Sequence, residues 1–308
     1  MAIKTVSIVG LGALGILYGH HLSKEMPKKN VRIIADTARI KRYVQDGVYC
    51  NGERCDFHYV TPEEIGEPAD LMIFTVKFSG LEDAIEAVKN QIGKQTIIIS
   101  ALNGITSEAI IGEAYGKDKV LYCVAQGMDA VKEENKLTYE HMGMLCFGER
   151  VPGLVSEKVQ QVADFLEKMK VPYEIDTDMY KRQWGKFMLN VGVNQTVAVY
   201  KSNYGEIQRN GHAREMMISA MREVIVLSEK EGIHLTERDL DYWLSVLDTL
   251  SPEGKPSMAQ DIEARRYSEV ELFAGTVLKL GEKYGVPTLV NKELYERIEF
   301  LESQYNFN

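Results

Sequence analysis

Three glycines near the start of the chain have the spacing of a loop that binds a dinucleotide. Gly10, Gly12 and Gly15 form the pattern GxGxxG between an apolar run and an apolar-periodic segment. In such loops the first glycine permits a tight turn, the second lets the backbone approach a pyrophosphate, and the third lets helix and strand pack closely. The following helix begins near Ala13 and Leu14, whose N–H groups are free for phosphate oxygens. The motif predicts a dinucleotide site; the alternatives are a turn whose glycines only relieve steric crowding, and a flavin or S-adenosylmethionine site.

The second predicted strand ends beside residues that could discriminate between the two nicotinamide dinucleotides. Asp36 lies 21 residues after Gly15, where an acidic residue accepts a hydrogen bond from the adenosine ribose of NAD(H). Arg39, Lys41 and Arg42 follow it. They could bind the 2′-phosphate of NADP(H) instead, or form a solvated helix face. These residues leave the choice between NAD(H) and NADP(H) open.

Two polar residues follow further predicted strands. Lys77 comes after the apolar run Leu71–Val76, and Asn103 comes after Thr96–Leu102. Ligands of open α/β sheets bind beyond the carboxyl ends of the strands. We therefore expect Lys77 and Asn103 to face the cofactor, the alternative being an exposed loop lysine and a turn asparagine.

One predicted helix in the second half carries three polar groups in line. Lys186, Asn190 and Asn194 are spaced by four residues, which places them on one helix face. The surrounding residues are apolar, so the helix is expected to be buried. Buried amide and ammonium groups need partners, because leaving them unpaired is costly. A polar ligand is one such partner, with Lys186 as a proton donor; a structural network with backbone carbonyls is the alternative.

A second polar line has the same spacing. Ser257, Asp261, Arg265 and Glu269 follow one another at steps of four, and Asp261 could pair with Arg265 along the helix. Taken alone, this pattern is most simply a solvated helix face.

Short β-branched runs alternate with helix-like stretches up to about residue 176. Such alternation predicts a parallel sheet with helices on both faces. The segment Gly47–His58 predicts a hairpin with a type I′ turn at Asn51–Gly52, and Glu134–Phe147 predicts a second antiparallel piece around Gly143. The predicted parallel strands are Val6–Val9, Val31–Ile34, Leu71–Val76 and Thr96–Ile99.

Strand patterns stop after about residue 178. The predicted helices are Asp178–Val199, His212–Glu231, Glu237–Leu247, Met258–Tyr284 and Asn291–Ser303. The predicted fold class is therefore α/β. An N-terminal Rossmann-type dinucleotide-binding domain is expected at 1–176, and a C-terminal all-helical domain for substrate binding and catalysis at 177–308.

Composition argues against several classes of protein. The 308 residues carry a net charge of −9, which argues against nucleic acid and against an anionic membrane surface as partners. No apolar run reaches the roughly 18 residues of a transmembrane helix, and no signal-peptide pattern is present. The four cysteines form no CxxC pair and the six histidines have no zinc-site spacing, so we expect no metal site. Free thiols in a reducing cytoplasm are the expected state.

Together these features resemble the ketopantoate reductase (2-dehydropantoate 2-reductase) family over nearly the whole chain. The glycine motif is generic, whereas the Lys-x3-Asn-x3-Asn helix followed by Ser-Met-x-Gln-Asp is specific. The matching pieces are Gly10–Gly15, Thr75–Lys77, Leu102–Gly104, Trp184–Phe187 with Asn190 and Asn194, Ser257–Asp261, Ser268–Glu269 with Gly275, and Gly285–Thr288.

The resemblance implies an oxidoreductase that transfers hydride from NAD(P)H to the ketone of 2-dehydropantoate, giving (R)-pantoate for coenzyme A synthesis. It implies that Lys186 protonates the nascent alkoxide and that Glu269 orients this lysine or the substrate. It also implies a small 2-oxo acid as the partner, and a monomer or a homodimer. The substrate-binding groups it implies are Asn190, Asn194 and Ser257, with Lys77 and Asn103 beside the nicotinamide ribose and substrate.

Two residues depart from the family pattern. The family usually carries a basic residue where Asp36 stands, matching its preference for NADP(H), so Asp36 makes NAD(H) possible. The family usually has proline where Gln195 follows Asn194. These departures motivate an alternative, an NADH-dependent reductase of another 2-oxo acid. A third hypothesis is a non-catalytic dinucleotide-binding regulator, against which the presence of Lys186 and Glu269 argues.

Overall fold

The computed structural model describes residues 2–305 of the 308-residue chain. The chain divides into two compact units, Met1–Tyr180 and Lys181–Asn308, and the junction lies four residues beyond the predicted boundary of 176 and 177. Within the described residues, all strands belong to the first unit and the second unit is helical. The predicted fold class is confirmed.

Twelve strands occur in the described part of the first unit. They are β1 (Val6–Val9), β2 (Val31–Ile34), β3 (Tyr49–Cys50), β4 (Glu53–Arg54), β5 (His58–Val60), β6 (Leu71–Phe74), β7 (Ile97–Ser100), β8 (Val120–Gln126), β9 (Val131–Glu133), β10 (Lys136–Thr138), β11 (Met144–Gly148) and β12 (Tyr173–Ile175). Eight of them form one sheet in the order β5-β2-β1-β6-β7-β8-β11-β12. In this order, each strand from β5 to β8 is parallel to the next one in the sheet, and β11 is antiparallel to β8. The direction of the strand order reverses between β1 and β6, where open α/β sheets bind their ligands.

Helices cover both faces of this sheet. They are α1 (Ala13–Glu25), α2 (Thr37–Asp46), α3 (Leu81–Ala87), α4 (Ser107–Tyr115) and α5 (Glu157–Lys168). Consecutive residues of β1 enter separate cores: Ile8 packs in the core that contains Ile16 of α1, and Val9 in the core that contains Leu81 of α3. Because both faces are covered, β1, β6 and β7 are buried along their whole length, and their sequences are apolar except for Ser7 and Ser100.

The remaining four strands form a small second sheet in the order β4-β3-β10-β9. β3 and β4 make the predicted hairpin, and Asn51 and Gly52 have φ of 48° and 80°, which confirms the type I′ turn. The second antiparallel piece is present, but its turn differs from the prediction. β9 and β10 are joined at Glu134, where φ is 49°, whereas Gly143 lies just before β11.

The second unit contains helices of very different lengths. They are α6 (Met179–Val199, which begins just before the junction), α7 (Tyr204–Gln208), α8 (His212–Lys230), α9 (Glu237–Asp248), α10 (Ser257–Glu263), α11 (Thr276–Tyr284) and α12 (Leu289–Ser303). Four predicted helices are confirmed, but the single helix Met258–Tyr284 is wrong. It is broken after Glu263, because Arg265 adopts φ of 51°, a left-handed conformation that ends a right-handed helix. Across residues 2–305, no helix combines the length and apolarity needed to cross a membrane.

Candidate active site

The glycine loop lies at the carboxyl end of β1, against residues that follow β6. Gly10 has φ of 96°, and a Cβ there would lie 2.7 Å from Val76 Cγ1. A Cβ on Gly15 would lie 1.9 Å from the carbonyl oxygen of Gly10, and one on Gly12 would lie 3.2 Å from the carbonyl oxygen of Thr75. The loop therefore has no room for side chains at these positions, as a backbone cradle for a pyrophosphate requires.

Thr75, which the sequence marks only as part of the matching piece Thr75–Lys77, holds this loop to the end of β6. The residue is buried, and its Oγ1 lies 3.0 Å from Val9 O and 2.6 Å from Gly10 O. Its N–H also donates to Val9 O at 2.9 Å. Because a hydroxyl has one proton, the two carbonyl oxygens share it. A lone hydroxyl at the end of an apolar strand is the sequence signal that could have identified this residue.

The start of α1 suits an anion. Gly12 is the N-cap residue, no side chain caps the helix, and its first turn contains no acidic residue. The first intrahelical donor is Ile16, whose N–H lies 3.1 Å from Gly12 O. The amides of Ala13, Leu14 and Gly15 precede it and have no acceptor within the helix. Free amides at the positive end of a helix bind phosphate, so the residues present fit a dinucleotide.

Asp36 lies two residues beyond β2 and caps α2. Its Oδ1 accepts the backbone N–H of Arg39 at 2.8 Å, and its Oδ2 lies 3.3 Å from Arg39 Nε. The guanidinium of Arg42 lies over the ring of Tyr43, 5.5 Å from the centroid. Two of the three basic residues that could bind a 2′-phosphate therefore already have partners, and one of those partners is Asp36.

Lys77 and Asn103 occupy the same edge of the sheet. β6 and β7 are parallel with Phe74 beside Ser100, and each polar residue follows its strand by three positions. Lys77 is exposed and Asn103 is half-buried. Since the strands are parallel, their carboxyl ends place these two residues at the same sheet edge as the glycine loop and Asp36.

The second unit carries the polar line of α6. Lys186 and Asn190 are half-buried, and Asn194 is 7% exposed, so the line passes into the interior along the helix. Its neighbours on the helix are packed: Trp184, Phe187, Met188, Val191 and Val193 are each at most 4% exposed. The expectation of a buried helix is confirmed.

Two glycines let other helices approach α6 closely. A Cβ on Gly185 would lie 2.3 Å from Nε1 of Trp243 in α9, and a Cβ on Gly192 would lie 2.5 Å from Cγ of Met221 in α8. These contacts leave the helix little freedom to rotate, which fixes the direction of its polar face.

The second predicted line does not form one helix face. Ser257 is exposed at the start of α10, and Asp261 is buried. Asp261 pairs with Arg266, whose Nε lies 2.8 Å from Oδ1, and not with Arg265 as predicted. The helix has ended before Arg265, so a spacing of four no longer aligns the side chains. Glu269 is half-buried in a bend that precedes α11.

The cysteine thiols are poorly suited to nucleophilic chemistry. All four cysteines are free and buried. Burial raises the pKa of the Cys50 thiol and raises that of Cys55 to about 12, so neither forms a thiolate near neutral pH.

One exposed group of potential metal ligands occurs within residues 2–305. Ligand atoms of Asp129, Glu140 and His141 lie within 4.8 Å of one another. Asp129 Oδ1 already accepts the backbone N–H groups of Glu140 and His141 at 3.0 and 2.9 Å. These hydrogen bonds account for the proximity of the three residues without an ion.

Comparison with known proteins matches both units. The family model described as ketopantoate reductase PanE/ApbA matches residues 6–150, and the model of its C-terminal part matches residues 178–302. The chain belongs to the ketopantoate reductase family. It is accordingly an NAD(P)-dependent oxidoreductase that acts on a ketone–hydroxyl pair, and the hypothesis of a non-catalytic regulator is set aside.

Relatives of this family align over nearly the full chain. The 2-dehydropantoate 2-reductase of Streptococcus pyogenes serotype M1 is 25% identical over 307 residues, covering 98% of this chain and 99% of the relative. The enzyme of the same name from Aquifex aeolicus (strain VF5) is 25% identical over 297 residues and covers 95% of each chain.

Solved structures confirm the fold. D-mandelate dehydrogenase with NADH and anilino(oxo)acetate has a TM-score of 0.86 at 22% identity, covering 97% of this chain and 98% of that chain. The PanE/ApbA family ketopantoate reductase from Ralstonia eutropha JMP134 has a TM-score of 0.83 at 22% identity, covering 97% and 99%.

Proposed function

We propose that this protein reduces the ketone of 2-dehydropantoate to (R)-pantoate, a step of pantothenate and coenzyme A biosynthesis. The observation that carries the proposal is the polar line of α6, within a family of ketone reductases. A 2-oxo acid needs hydrogen-bond donors for its carboxylate and a proton for its ketone oxygen. Lys186, Asn190 and Asn194 offer one ammonium group and two amides on a single helix face. The names of the curated relatives favour 2-dehydropantoate among such acids.

The proposed roles divide between hydride transfer and proton transfer. The bound nicotinamide supplies the hydride, and Lys186 gives its proton to the oxygen that becomes negative. A charge that meets the alkoxide as it forms stabilises the transition state more than the ground state. Glu269 orients Lys186 or the substrate. The remaining groups bind ligands: Asn190, Asn194, Ser257 and Asn103 the substrate, and Gly10, Gly12, Ala13, Leu14, Gly15, Asp36, Lys77 and Asn103 the cofactor.

A steady-state assay of nicotinamide oxidation tests the reaction. The wild-type protein is assayed with 2-dehydropantoate and with a panel of branched and aromatic 2-oxo acids, each with NADH and with NADPH. We expect 2-dehydropantoate to have the highest kcat/KM. A strong preference for an aromatic acid would support the alternative, a reductase of another 2-oxo acid. No nicotinamide oxidation with any of the acids would refute both.

Substitution of the proposed proton donor tests the mechanism. Lys186→Met is expected to lower kcat by about 10²–10⁴-fold, the usual contribution of a general acid, without changing the Kd of the nicotinamide. Lys292→Met on α12 is the control, because Lys292 makes only a loose ion pair of 3.9 Å with Glu296. Near-normal turnover by Lys186→Met would assign the proton to another group.

We further propose that NADH is the preferred hydride donor. The carboxylate of Asp36 repels a 2′-phosphate, and its pairing with Arg39 reduces the positive charge available to bind one. Asp36→Ser, which keeps an N-cap side chain, is expected to raise the kcat/KM ratio of NADPH to NADH roughly tenfold, or about 1.4 kcal/mol. Asp46→Ser at the other end of α2 is the control. An unchanged ratio in Asp36→Ser would show that Asp36 does not read the ribose.

We also propose a cytoplasmic enzyme that is a monomer or a homodimer. Four free, buried thiols are typical of a reducing compartment. Light scattering on a size-exclusion column measures the mass, and a tetramer or larger assembly would contradict the proposed state.

A further inference from the structure

The segment that leads into α11 has an irregular hydrogen-bond pattern. Residues 271–275 form a π-helix, in which Gly275 N–H donates to Val270 O at 3.0 Å, five residues back. Val270 O also accepts the N–H of Phe273 at 3.2 Å. In an α-helix Ala274 would use this carbonyl. Because it is occupied, the buried Ala274 amide needs another acceptor.

Gln195 of α6 supplies that acceptor. It is fully buried, and its Oε1 accepts the N–H of Ala274 at 3.1 Å. Its Nε2 donates to Val191 O at 2.7 Å and to Asn291 Oδ1 at 3.2 Å. The one side-chain amide therefore connects α6 with the π-helical segment and with α12.

A buried network holds Gln195 in this orientation. Asn291 is fully buried, and its Nδ2 donates to Ala220 O at 3.2 Å and to Glu223 Oε2 at 2.7 Å. Glu223 of α8 also accepts the backbone N–H groups of Val290 and Asn291 at 2.8 and 3.0 Å. A carboxylate at this helix start is favoured by the helix dipole. Because Asn291 Oδ1 is an acceptor here, it receives the Nε2 end of Gln195, and Oε1 is left to face Ala274.

We propose that Gln195 is a positioning residue for the reduction, holding the backbone of Glu269 in register with the polar face of α6. On α6 it directly follows Asn194. On the other side it fixes Ala274, within the same π-helical turn whose first hydrogen bonds go to the carbonyl oxygen of Glu269: Leu272 N–H and Phe273 N–H lie 3.0 and 3.3 Å from it. Irregular turns of this type often occur at functional sites. The inference rests on the proposed function, which gives Glu269 and Lys186 their roles.

Three variants of the full-length enzyme test this role. Gln195→Met has a similar length and no hydrogen-bonding groups, so it leaves the Ala274 amide without its acceptor. Gln195→Glu keeps an acceptor for that amide and, in the protonated form that full burial favours, one O–H donor for Asn291 Oδ1, so it is the conservative rescue. Thr196→Val is the matched control, because Thr196 is fully buried beside Gln195 and its hydroxyl has no hydrogen-bond partner among the described residues.

The measurements are kcat and KM for the 2-oxo acid, the Kd of the nicotinamide, and hydrogen exchange of a peptide spanning residues 270–278. Gln195→Met is expected to lower kcat by up to about 10²-fold, as misplacement by about 1 Å does, with the nicotinamide Kd unchanged and faster exchange in this peptide. Gln195→Glu should recover both the rate and the protection. Thr196→Val should behave as the wild type.

Two results would overturn the positioning role. One is a folded Gln195→Met with normal kcat and normal exchange. The other is an equal loss of kcat in Thr196→Val, which would assign the effect to general packing. Should Gln195→Met not fold, the shorter amide of Gln195→Asn, which cannot reach the Ala274 N–H from the same position, takes its place: faster exchange and a lower kcat than in Thr196→Val would support the role, and wild-type behaviour would overturn it. Failure of the wild type to reduce any 2-oxo acid would refute the proposed function, and the exchange data would still decide whether Gln195 holds the segment.

Discussion

Gly15→Ala tests the dinucleotide loop directly, because the added methyl group would meet backbone atoms. Its Cβ would lie 1.9 Å from Gly10 O and 2.7 Å from Thr75 Oγ1. A close carbon–oxygen contact is about 3.3–3.6 Å. The Gly10 carbonyl and the start of α1 must therefore separate by about 1.5 Å, the difference between these lengths. This movement displaces the helix amides that are proposed to bind the pyrophosphate.

The size of the effect follows from the hydrogen bonds that are lost. A hydrogen bond to a charged group contributes about 1.5–3 kcal/mol. Losing two of them costs roughly 3–6 kcal/mol of binding free energy, which raises the nicotinamide Kd by about 10²–10⁴-fold. Gly12→Ala should be milder, because its Cβ would lie 3.2 Å from Thr75 O and needs only a small shift. The nicotinamide Kd is therefore expected to be highest in Gly15→Ala, intermediate in Gly12→Ala and lowest in the wild type.

Fluorescence titration with NADH and NADPH measures these Kd values, and circular dichroism verifies that each variant is folded. Gly66→Ala is the control for the general effect of replacing glycine, since Gly66 is exposed and no atom lies within 4 Å of the added Cβ. A folded Gly15→Ala that binds as tightly as the wild type would refute the pyrophosphate cradle. If that variant does not fold, unchanged binding by both Gly12→Ala and Gly66→Ala would refute the predicted order.

Three further predictions concern stability. Thr75→Val removes the hydroxyl shared by the carbonyls of Val9 and Gly10 and should lower the free energy of unfolding in urea by about 1 kcal/mol; no change would contradict its role in holding the loop to the strand end. Gly185→Ala should cost about 1–3 kcal/mol through overpacking, since its Cβ would lie 2.3 Å from a ring nitrogen of the α9 tryptophan; an unchanged urea midpoint would contradict this. Burial raises the pKa of Glu231, but hydrogen bonds from Lys283 and Tyr284 outweigh it, so the net pKa is below the ordinary 4.5. Above pH 4.5 the ionised carboxylate therefore stabilises the fold by about 0.5–1 kcal/mol. This contribution is lost as the pH falls through the lowered pKa. Glu231→Gln should therefore be less stable than the wild type at neutral pH and equally stable in strong acid.

Elements whose signal is local could be predicted from the sequence. The bounds of β1 and β2 agree with the structure because buried parallel strands appear as near-continuous runs of β-branched residues, interrupted here by Ser7 and Arg32. The turn at Asn51 and Gly52 was equally predictable, since two consecutive positive φ values favour this residue pair. The glycine loop was predictable for the same reason. Its own backbone and the end of the neighbouring strand leave no room for side chains at these positions, so glycine is required there.

The break after α10 lacks such a signal. No glycine or proline lies between Glu263 and Glu271, and apolar residues continue at helical spacing, so a single helix was the natural prediction. The segment is instead held by partners distant in the chain. Ser268 N–H donates to Glu302 Oε1 at 2.8 Å, and Ala274 N–H donates to Gln195. These tertiary hydrogen bonds override the local preference for a continuous helix.

Residues that touch ligands and residues that position them differ in how they can be recognised. The glycines and the line of Lys186, Asn190 and Asn194 are recognisable by type and spacing, because their chemistry requires those groups in that pattern. Thr75 and Gln195 act through partners 65 and 79 residues away, and no spacing marks them. Each nevertheless breaks a local rule: Thr75 is a buried polar side chain directly after the apolar strand β6, and Gln195 is a buried polar side chain within the largely apolar helix α6. Since a buried polar group persists only when its partners are supplied, such violations point to the residues that hold a site in place.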